Sequence, residues 1–268
     1  MPQWRLGYLL LVFAPASVAA QGAPSPSAPA SPSAPASWVE AGGFYQHVSN
    51  DFGSWTGGYA RLVLAGTRNA WYLDAKAQEA FRDRGVWGSL ANVHSFGSRL
   101  YTQLGVGAGT GKYVLPDLRA DGSVTLKLGA ARALLFTAGG TYVKSKSIYD
   151  DQALFASLTW YATPSVLLEA GGRLNWSDPG GVRSARVRMA LTAGRAGRTI
   201  LTLLGSAGTE GYQLTSAPVT LQKFKSQDAG VSLRQWLGGH LGIVAAGEWY
   251  HNPFYTRAGG SLGLFHAW

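Results

Sequence analysis

The sequence predicts an all-β fold, a transmembrane antiparallel β-barrel of about fourteen strands, with twelve as the alternative and both termini periplasmic. The first observation is the segment Leu118–Leu128, in which every even position is apolar or glycine and every odd position is polar or charged. Side chains alternate faces along a strand, so this segment has one apolar face and one ionic face. The second observation is that similar segments recur at about ten residues, the length that a tilted strand needs to cross a bilayer. The third is that no apolar run of roughly eighteen residues follows the N-terminus, which excludes membrane-spanning helices.

The composition narrows the function classes. The chain has 268 residues, 10 Trp and 12 Tyr, but only 14% charged residues and no Cys. The absence of Cys excludes a disulfide scaffold and a Cys-ligated metal, and the His residues lack metal-ligand spacing, so no cofactor is expected. The formal net charge of +9 comes from scattered basic residues. That distribution suits contact with phosphate-rich lipid headgroups and predicts no binding of nucleic acid.

The N-terminal part of the chain is predicted to lie outside the barrel. Residues 1–20 have the pattern of a secretory signal peptide, with a positive charge at Arg5, an apolar stretch, and a small-residue cleavage site that ends at Ala20. Residues 21–37 are rich in Pro, Ala and Ser, cannot build a core, and are predicted to form an extended linker. The barrel is therefore assigned to residues 38–268.

Within residues 38–268, strand-like segments are bounded by Gly, Asn, Asp, Pro and Ser, and none has a convincing helical period. Several repeat the alternation of Leu118–Leu128; in 166–175, apolar even positions alternate with Glu169 and Arg173. The predicted strands are 38–48, 55–65, 70–81, 85–96, 98–108, 117–128, 133–144, 151–161, 165–175, 182–193, 198–208, 225–237, 240–251 and 254–268.

The connections between these segments favour a membrane barrel over a soluble sheet. Starting from 49–54, longer connections alternate with shorter ones, as external loops and periplasmic turns do in such barrels. The longest predicted connection is 209–224. Connections 82–84 and 252–253 are short where the alternation predicts external loops.

Aromatic residues near the segment ends are typical of the two interfacial belts of a membrane barrel. The Trp residues at these ends are Trp55, Trp71, Trp87, Trp160, Trp176, Trp236, Trp249 and Trp268. The final segment has Leu262 and Leu264 on one face with the terminal Trp268, and it resembles the signal that outer-membrane assembly machinery reads, although His266 departs from that pattern. The expected partners are this machinery, outer-membrane lipids and lipopolysaccharide. The expected location is the cell outer membrane, after secretion to the periplasm.

Three short motifs rich in Gly and aromatic residues lie in the predicted barrel. They are Gly42-Gly43-Phe44-Tyr45, then Asp51-Phe52-Gly53-Ser54-Trp55 followed by Tyr59, and Gly139-Gly140-Thr141-Tyr142. Together with the aromatic C-terminus, they make residues 38–268 similar to the YaiO-type outer-membrane barrel family. The resemblance implies the barrel fold and the outer-membrane location. A link to surface or extracellular polysaccharide is an expectation by analogy with larger export barrels.

A membrane barrel turns the ionic face of each strand inward. The alternation therefore predicts a lumen lined by Asp74, Lys76, Arg119, Asp121, Lys127, Glu169, Arg173, Arg186, Arg188, Asp228 and Arg234, together with Glu40 and Glu248. Two interpretations follow. These charges form paired networks that plug or stiffen the lumen, or they line a basic pore that favours anionic or sugar-like solutes.

One motif raises a catalytic alternative. His47-Val48-Ser49-Asn50 resembles the His-x-Ser-Asn element of outer-membrane lipid esterases of the phospholipase A or lipid A deacylase type. The alternation places His47 and Ser49 on the lipid-facing side near the outer rim, where a lipid substrate would lie. A Ser nucleophile needs a base, and the base needs an orienting group. Glu248 is the candidate for that group, but the alternation along its strand places its side chain on the inner face. The predicted function is a non-enzymatic outer-membrane pore, export conduit or structural surface protein, with the lipid esterase as the alternative.

Overall fold

The strands follow one another without an intervening helix in the described part of the chain. The structure, a computed structural model, describes residues 37–146, 149–213 and 221–268, so the predicted signal peptide 1–20 and all but Ser37 of the predicted linker lie outside the described residues. The strands are β1 (Trp38–Val48), β2 (Ser54–Ala65), β3 (Asn69–Ala80), β4 (Asp83–Ser95), β5 (Leu100–Gly109), β6 (Leu118–Leu128), β7 (Leu134–Lys144), β8 (Asp150–Thr163), β9 (Val166–Asp178), β10 (Val182–Gly194), β11 (Thr199–Gln213), β12 (Leu221–Trp236), β13 (Leu241–His251) and β14 (Thr256–Ala267).

These fourteen strands form one closed antiparallel barrel, as the alternation predicts. Each strand pairs with its neighbours in sequence, and β14 pairs back with β1 from Trp38↔Ala267 to Val48↔Arg257. Closure leaves no strand edge without a partner. Among the described residues, no helix is long and apolar enough to cross a membrane.

Strand β6 has the two faces that its sequence predicts. Leu118, Val124, Leu126 and Leu128 are exposed on the outside, whereas Thr125 and Lys127 are buried on the inside. The other strands alternate in the same way, so the outer wall is apolar and the inner wall is polar. The face of each side chain therefore follows from its parity within the strand.

The two rims of the barrel are named by whether they carry the ends of the strand series. The terminal rim carries the start of β1, the end of β14 and the connections 66–68, 96–99, 129–133, 164–165, 195–198 and 237–240. The described distal-rim connections are 49–53, 81–82, 110–117, 179–181 and 252–255, together with residues 145–146 and 149 between β7 and β8. The start of β1 and the end of β14 lie at one rim because the number of strands is even.

The connections are less regular than the sequence predicts. The predicted long connection 209–224 is wrong at both ends, because the β11–β12 ladder continues to Gln213↔Leu221. Backbone pairing does not need an apolar face, so strands extend through the polar residues that end the apolar pattern. The longest connection between described strands whose residues are all described is 110–117.

Aromatic residues form a belt on the outer wall near each rim, with Trp71, Trp160 and Trp268 exposed near the terminal rim and Trp249 near the distal rim. The prediction that Trp55 belongs to a belt is wrong, since this side chain is buried in the inner hydrophobic cluster described below. A position near a strand end does not determine which face a side chain takes. Trp87 and Trp236 likewise pack inward, against that cluster and against Phe265 respectively.

We predict that a side chain at Gly42 disrupts barrel closure. A Cβ at Gly42 would lie 2.7 Å from the Cα of Gly263 and against the carbonyl oxygen of Leu262, whereas a Cβ at Gly43 would meet only the carbonyl oxygen of Gly57, at 3.5 Å. Overpacking of this kind costs about 1–3 kcal/mol. Urea unfolding in lipid vesicles should show that loss for Gly42→Val and a change within about 0.5 kcal/mol for Gly43→Val. Equal stability of the two variants would contradict the role of close strand approach at Gly42.

Candidate pore and its distal constriction

The inner face of the barrel holds every lumen residue that the sequence predicts. Seven of these side chains belong to three polar networks: Asp74, Arg119, Asp121, Arg173, Arg186, Asp228 and Arg234. The other four, Lys76, Lys127, Glu169 and Arg188, lie on the same inner face. The Lys76 ammonium lies over the Phe44 ring at 4.8 Å, and the Lys127 ammonium lies over the Tyr101 ring at 5.8 Å.

Arg186 on β10 is the centre of the most buried network. Its guanidinium donates to the carboxylates of Glu210 on β11 and Asp228 on β12. The Ser226 hydroxyl donates to Glu210 Oε1 at 2.8 Å, and the Tyr250 hydroxyl donates to Glu210 Oε2 at 3.1 Å. These bonds join four consecutive strands, β10 to β13, from the inside.

A second network spans the interior near the terminal rim. Arg234 Nη1 on β12 donates to Glu40 Oε2 on β1 at 3.0 Å, although β13 and β14 lie between these strands. Arg61 Nη1 lies 3.9 Å from Glu40 Oε1, and Arg61 Nε lies 2.9 Å from Asp74 Oδ1. The Arg234 guanidinium also covers the Phe265 ring at 3.9 Å. The contact from β12 to β1 narrows the lumen because it passes inside two strands.

The third network lies on β6, β7 and β9. Arg119 donates twice to Asp121, from Nε to Oδ2 at 2.7 Å and from Nη2 to Oδ1 at 2.8 Å. The Thr141 hydroxyl donates to Asp121 Oδ1 at 2.9 Å, and Arg173 Nη1 donates to Thr141 Oγ1 at 3.4 Å. Arg173 Nε donates to Asn175 Oδ1 at 2.5 Å.

Three ion pairs show which atoms face the water-accessible space. In each pair the carboxylate is more exposed than the arginine. The side-chain exposures are 40% and 13% for Asp74 and Arg61, 26% and 17% for Asp121 and Arg119, and 29% and 3% for Asp228 and Arg186. The barrel therefore keeps accessible polar surface inside, and at these three places that surface is mainly carboxylate.

Inward charges of opposite sign are balanced in the described strands. The basic set is Arg61, Lys76, Arg119, Lys127, Arg173, Arg186, Arg188, Arg234 and Arg257, and the acidic set is Glu40, Asp74, Asp83, Asp121, Asp151, Glu169, Glu210, Asp228 and Glu248. The two sets are equal in size, so the excess positive charge of the chain belongs to other parts of the molecule.

Sequence reasoning missed five inward charged residues, for two different reasons. Arg61, Asp151 and Arg257 lie in predicted strands, and the alternation of side chains along those strands is a signal that would identify them as inward-facing. Asp83 and Glu210 fall in segments that the sequence predicts to be connections, where parity is undefined. The structure extends β4 and β11 over them.

The 110–117 connection folds into the distal mouth. Val114 and Leu115 are buried in an inner hydrophobic cluster that also includes Trp55 on β2 and Tyr250 on β13. Strand β13 lies on the side of the barrel opposite the β5–β6 connection. The cluster therefore extends across the mouth and constricts it.

One carboxylate holds this connection in place. Asp83, at the start of β4, accepts hydrogen bonds from the backbone N–H groups of Lys112 (3.0 Å), Tyr113 (2.9 Å) and Val114 (2.9 Å). Successive N–H groups of a turn form an anion-binding concavity of this kind. Gly111 has φ = +104°, and a Cβ there would lie 3.2 Å from Asp83 Oδ2, so this position suits glycine.

Side chains fix the ends of the same connection. The Tyr113 hydroxyl donates to the carbonyl oxygen of Phe81, and partial burial and the nearby Asp83 carboxylate raise its pKa. Lys146 donates to the carbonyl oxygen of Gly109 at 3.0 Å and forms an ion pair with Asp117.

The esterase motif lies at the distal end of β1, and Ser49 and Glu248 accept hydrogen bonds from groups other than His47. His47 is exposed on the outer face, and no hydrogen bond joins it to Ser49 among the described residues. Ser49 Oγ instead accepts a hydrogen bond from the backbone N–H of Thr256 at 2.9 Å. Glu248, considered as the orienting acid, lies inside and accepts a hydrogen bond from Gln46 Nε2 at 2.8 Å. No group of three or more metal-ligating side chains occurs in the described part of the chain.

Comparison with known proteins identifies the family. The sequence matches the YaiO membrane β-barrel domain over residues 37–213, which contain β1 to β11. The chain belongs to this family. The match confirms the resemblance over most of its predicted extent, and β12 to β14 lie beyond it. The comparison with curated proteins gives no match.

Solved structures similar to this YaiO-family barrel are outer-membrane proteins. The CymD monoaromatic hydrocarbon channel matches with a TM-score of 0.61 and 7% identity, over 87% of this chain and 88% of that chain. The COG4313 outer membrane channel from Pseudomonas putida F1 matches with a TM-score of 0.52 and 10% identity, over 87% and 96% of the two chains. A bacterial polysaccharide outer membrane secretin matches with a TM-score of 0.51 and 8% identity, over 87% and 98%. At these identities the likeness establishes the fold alone.

We predict that Arg186→Gln strongly destabilises the barrel. The substitution leaves the buried Glu210 carboxylate without its ionic partner, and breaking a buried ion pair costs about 3–5 kcal/mol. Urea unfolding in vesicles should show this loss. Arg84→Gln is the control, because the Arg84–Glu79 pair is exposed and such pairs contribute about 0–1 kcal/mol. Similar effects of the two substitutions would contradict the assignment of Arg186 as a buried cross-link.

We predict that Asp83→Ala releases the 110–117 connection. Without the carboxylate, the backbone N–H groups of Lys112 to Val114 lose their acceptor, so this segment opens and trypsin cuts after Lys112. Asp117→Ala, which removes only an ion pair to Lys146, should leave the segment resistant. Cleavage at the same rate in the wild type and in both variants would show that Asp83 does not hold the segment.

Proposed function

We propose that this outer-membrane barrel is a narrow, non-enzymatic pore for small polar solutes, constricted at the distal rim by the 110–117 connection. The observation that carries the proposal is the accessible inner carboxylate surface at Asp74, Asp121 and Asp228. A barrel whose interior is filled by side chains would leave little accessible polar surface there. The channel neighbours share this fold, which supports the proposal without extending their solutes to this chain.

The interior argues against a wide export conduit. The Arg234–Glu40 contact inside β13 and β14 and the hydrophobic cluster at the distal mouth both reduce the free cross-section. A polysaccharide chain needs a continuous wide path, so the proposed solutes are small. The lipid esterase alternative has no support in the positions of His47 and Ser49.

The same proposal includes the biogenesis of the barrel. Residues 1–20 direct secretion to the periplasm, and the terminal rim faces the periplasm after assembly. The last strand, which ends beside Trp268, is the segment that barrel assembly machinery reads. Exposed Leu262 and Leu264 on its outer face support this assignment.

Planar-bilayer recording of purified protein tests the function. The wild type should form channels of low conductance, because the 110–117 connection occupies part of the distal mouth. Asp83→Ala should raise the single-channel conductance severalfold by releasing that connection, and Asp117→Ala should leave it unchanged. If the wild type and Asp83→Ala both show only the current of the bare bilayer, the protein is not a pore.

A further inference from the structure

The terminal rim has an unusual charge distribution. Five arginines lie in its connections: Arg68, Arg99, Arg132, Arg195 and Arg198. The six connections of this rim contain no Asp or Glu. The described connections of the distal rim, in contrast, combine basic residues with Asp51 and Asp117, and Lys146 forms an ion pair with Asp117.

The terminal-rim arginines are available to a partner. Arg68, Arg99, Arg195 and Arg198 are exposed, and Arg132 is half-buried. None of the five forms a salt bridge with another residue in the described ranges. Their backbones are nevertheless fixed in the turns, as the bond from Ser95 N–H to the Arg68 carbonyl (2.8 Å) and the bond from Lys127 N–H to the Arg99 carbonyl (2.8 Å) show. The barrel therefore sets where the backbones of Arg68 and Arg99 lie around the rim.

The height of these arginines relative to the aromatic belt identifies the partner. Arg68 lies three residues before the outward-facing Trp71 of β3, and Arg99 lies with the exposed Phe96 in the turn between β4 and β5. Three residues along a strand tilted by about 45° correspond to a rise of about 7 Å along the membrane normal. The headgroup layer extends about 5–7 Å beyond the hydrocarbon core. Arg68 therefore reaches the level of the lipid phosphates when the aromatic belt lies at the interface, and Arg99, Arg195 and Arg198 lie in turns of the same rim.

We propose that the terminal rim binds anionic phospholipid headgroups through Arg68, Arg99, Arg195 and Arg198. Guanidinium groups form bidentate hydrogen bonds with phosphate oxygens, and basic residues close to an anionic lipid surface are attracted to it. The lack of carboxylates on the rim removes the internal partners that would compete with the phosphates. The interaction enriches anionic lipid around one end of the barrel and holds that end at a fixed depth.

The test measures lipid retained by the barrel in nanodiscs of equimolar phosphatidylcholine and phosphatidylglycerol. Native mass spectrometry should show that the full barrel retains phosphatidylglycerol over phosphatidylcholine by at least ~3-fold at low salt, and that ~0.5 M NaCl weakens this preference. The variant Arg68→Gln/Arg99→Gln/Arg195→Gln/Arg198→Gln should retain both lipids equally. Replacement of the same four residues by Lys should restore most of the preference.

A distal variant provides the matched control. Arg82→Gln/Arg84→Gln/Lys112→Gln/Lys144→Gln removes the same number of positive charges from the distal rim and should keep the phosphatidylglycerol preference. Heat-modifiable gel mobility verifies that each variant is folded. An unchanged preference in the folded terminal variant, an equal loss in the distal variant, or no preference in the wild type would overturn the proposal. The last result would indicate a soluble acidic partner or none. A lack of channel activity would leave this measurement unaffected, so the two proposals fail separately.

Discussion

The structure depends on the pairing of its first and last strands. In the hydrocarbon core no water is present to bind backbone N–H and C=O groups, so the wall must satisfy all of them within itself. The β1–β14 ladder, from Trp38↔Ala267 to Val48↔Arg257, closes the wall and makes this possible. Closure also fixes which face each residue takes, because a shift of one residue would turn the ionic side chains toward lipid. The small residues Gly42 and Gly263 allow the close approach at this ladder.

The charges inside the barrel follow from that closure. Once the alternation directs them inward, burial makes an unpaired charge costly, and the inward acidic and basic side chains are equal in number. Arg186 is the most buried of the arginines in these ion pairs, and its partners are Glu210 and Asp228. The same pairing limits the width of the lumen, since Arg234 reaches Glu40 inside two strands. The residues whose ion pairs stabilise the wall therefore also narrow the lumen.

Sequence reasoning predicts the strands of the barrel wall, and the face of each residue, more fully than it predicts the contacts between the inward side chains. Period-two alternation is a local property, so β6 and the inward side of Arg119, Asp121 and Lys127 follow directly from it. Partner choice is not local: Arg234 on β12 binds Glu40 on β1, and sequence spacing carries no information about that contact. The inward course of 110–117 depends on Asp83, a residue that the sequence places in a turn. Sequence reasoning predicts the connections least accurately, because polar strand ends and polar loops contain the same types of residue.

Cysteine accessibility during bilayer recording tests most directly whether the lumen is the conducting path. The chain has no Cys, so a single introduced thiol reports one position. Ser123 lies on the inner face of β6, and its neighbour Val124 is exposed on the outer face. A water-soluble cationic thiol reagent should reduce the channel current stepwise in Ser123→Cys and leave it unchanged in Val124→Cys. An unaffected current in Ser123→Cys, or block in Val124→Cys alone, would contradict conduction through the barrel interior.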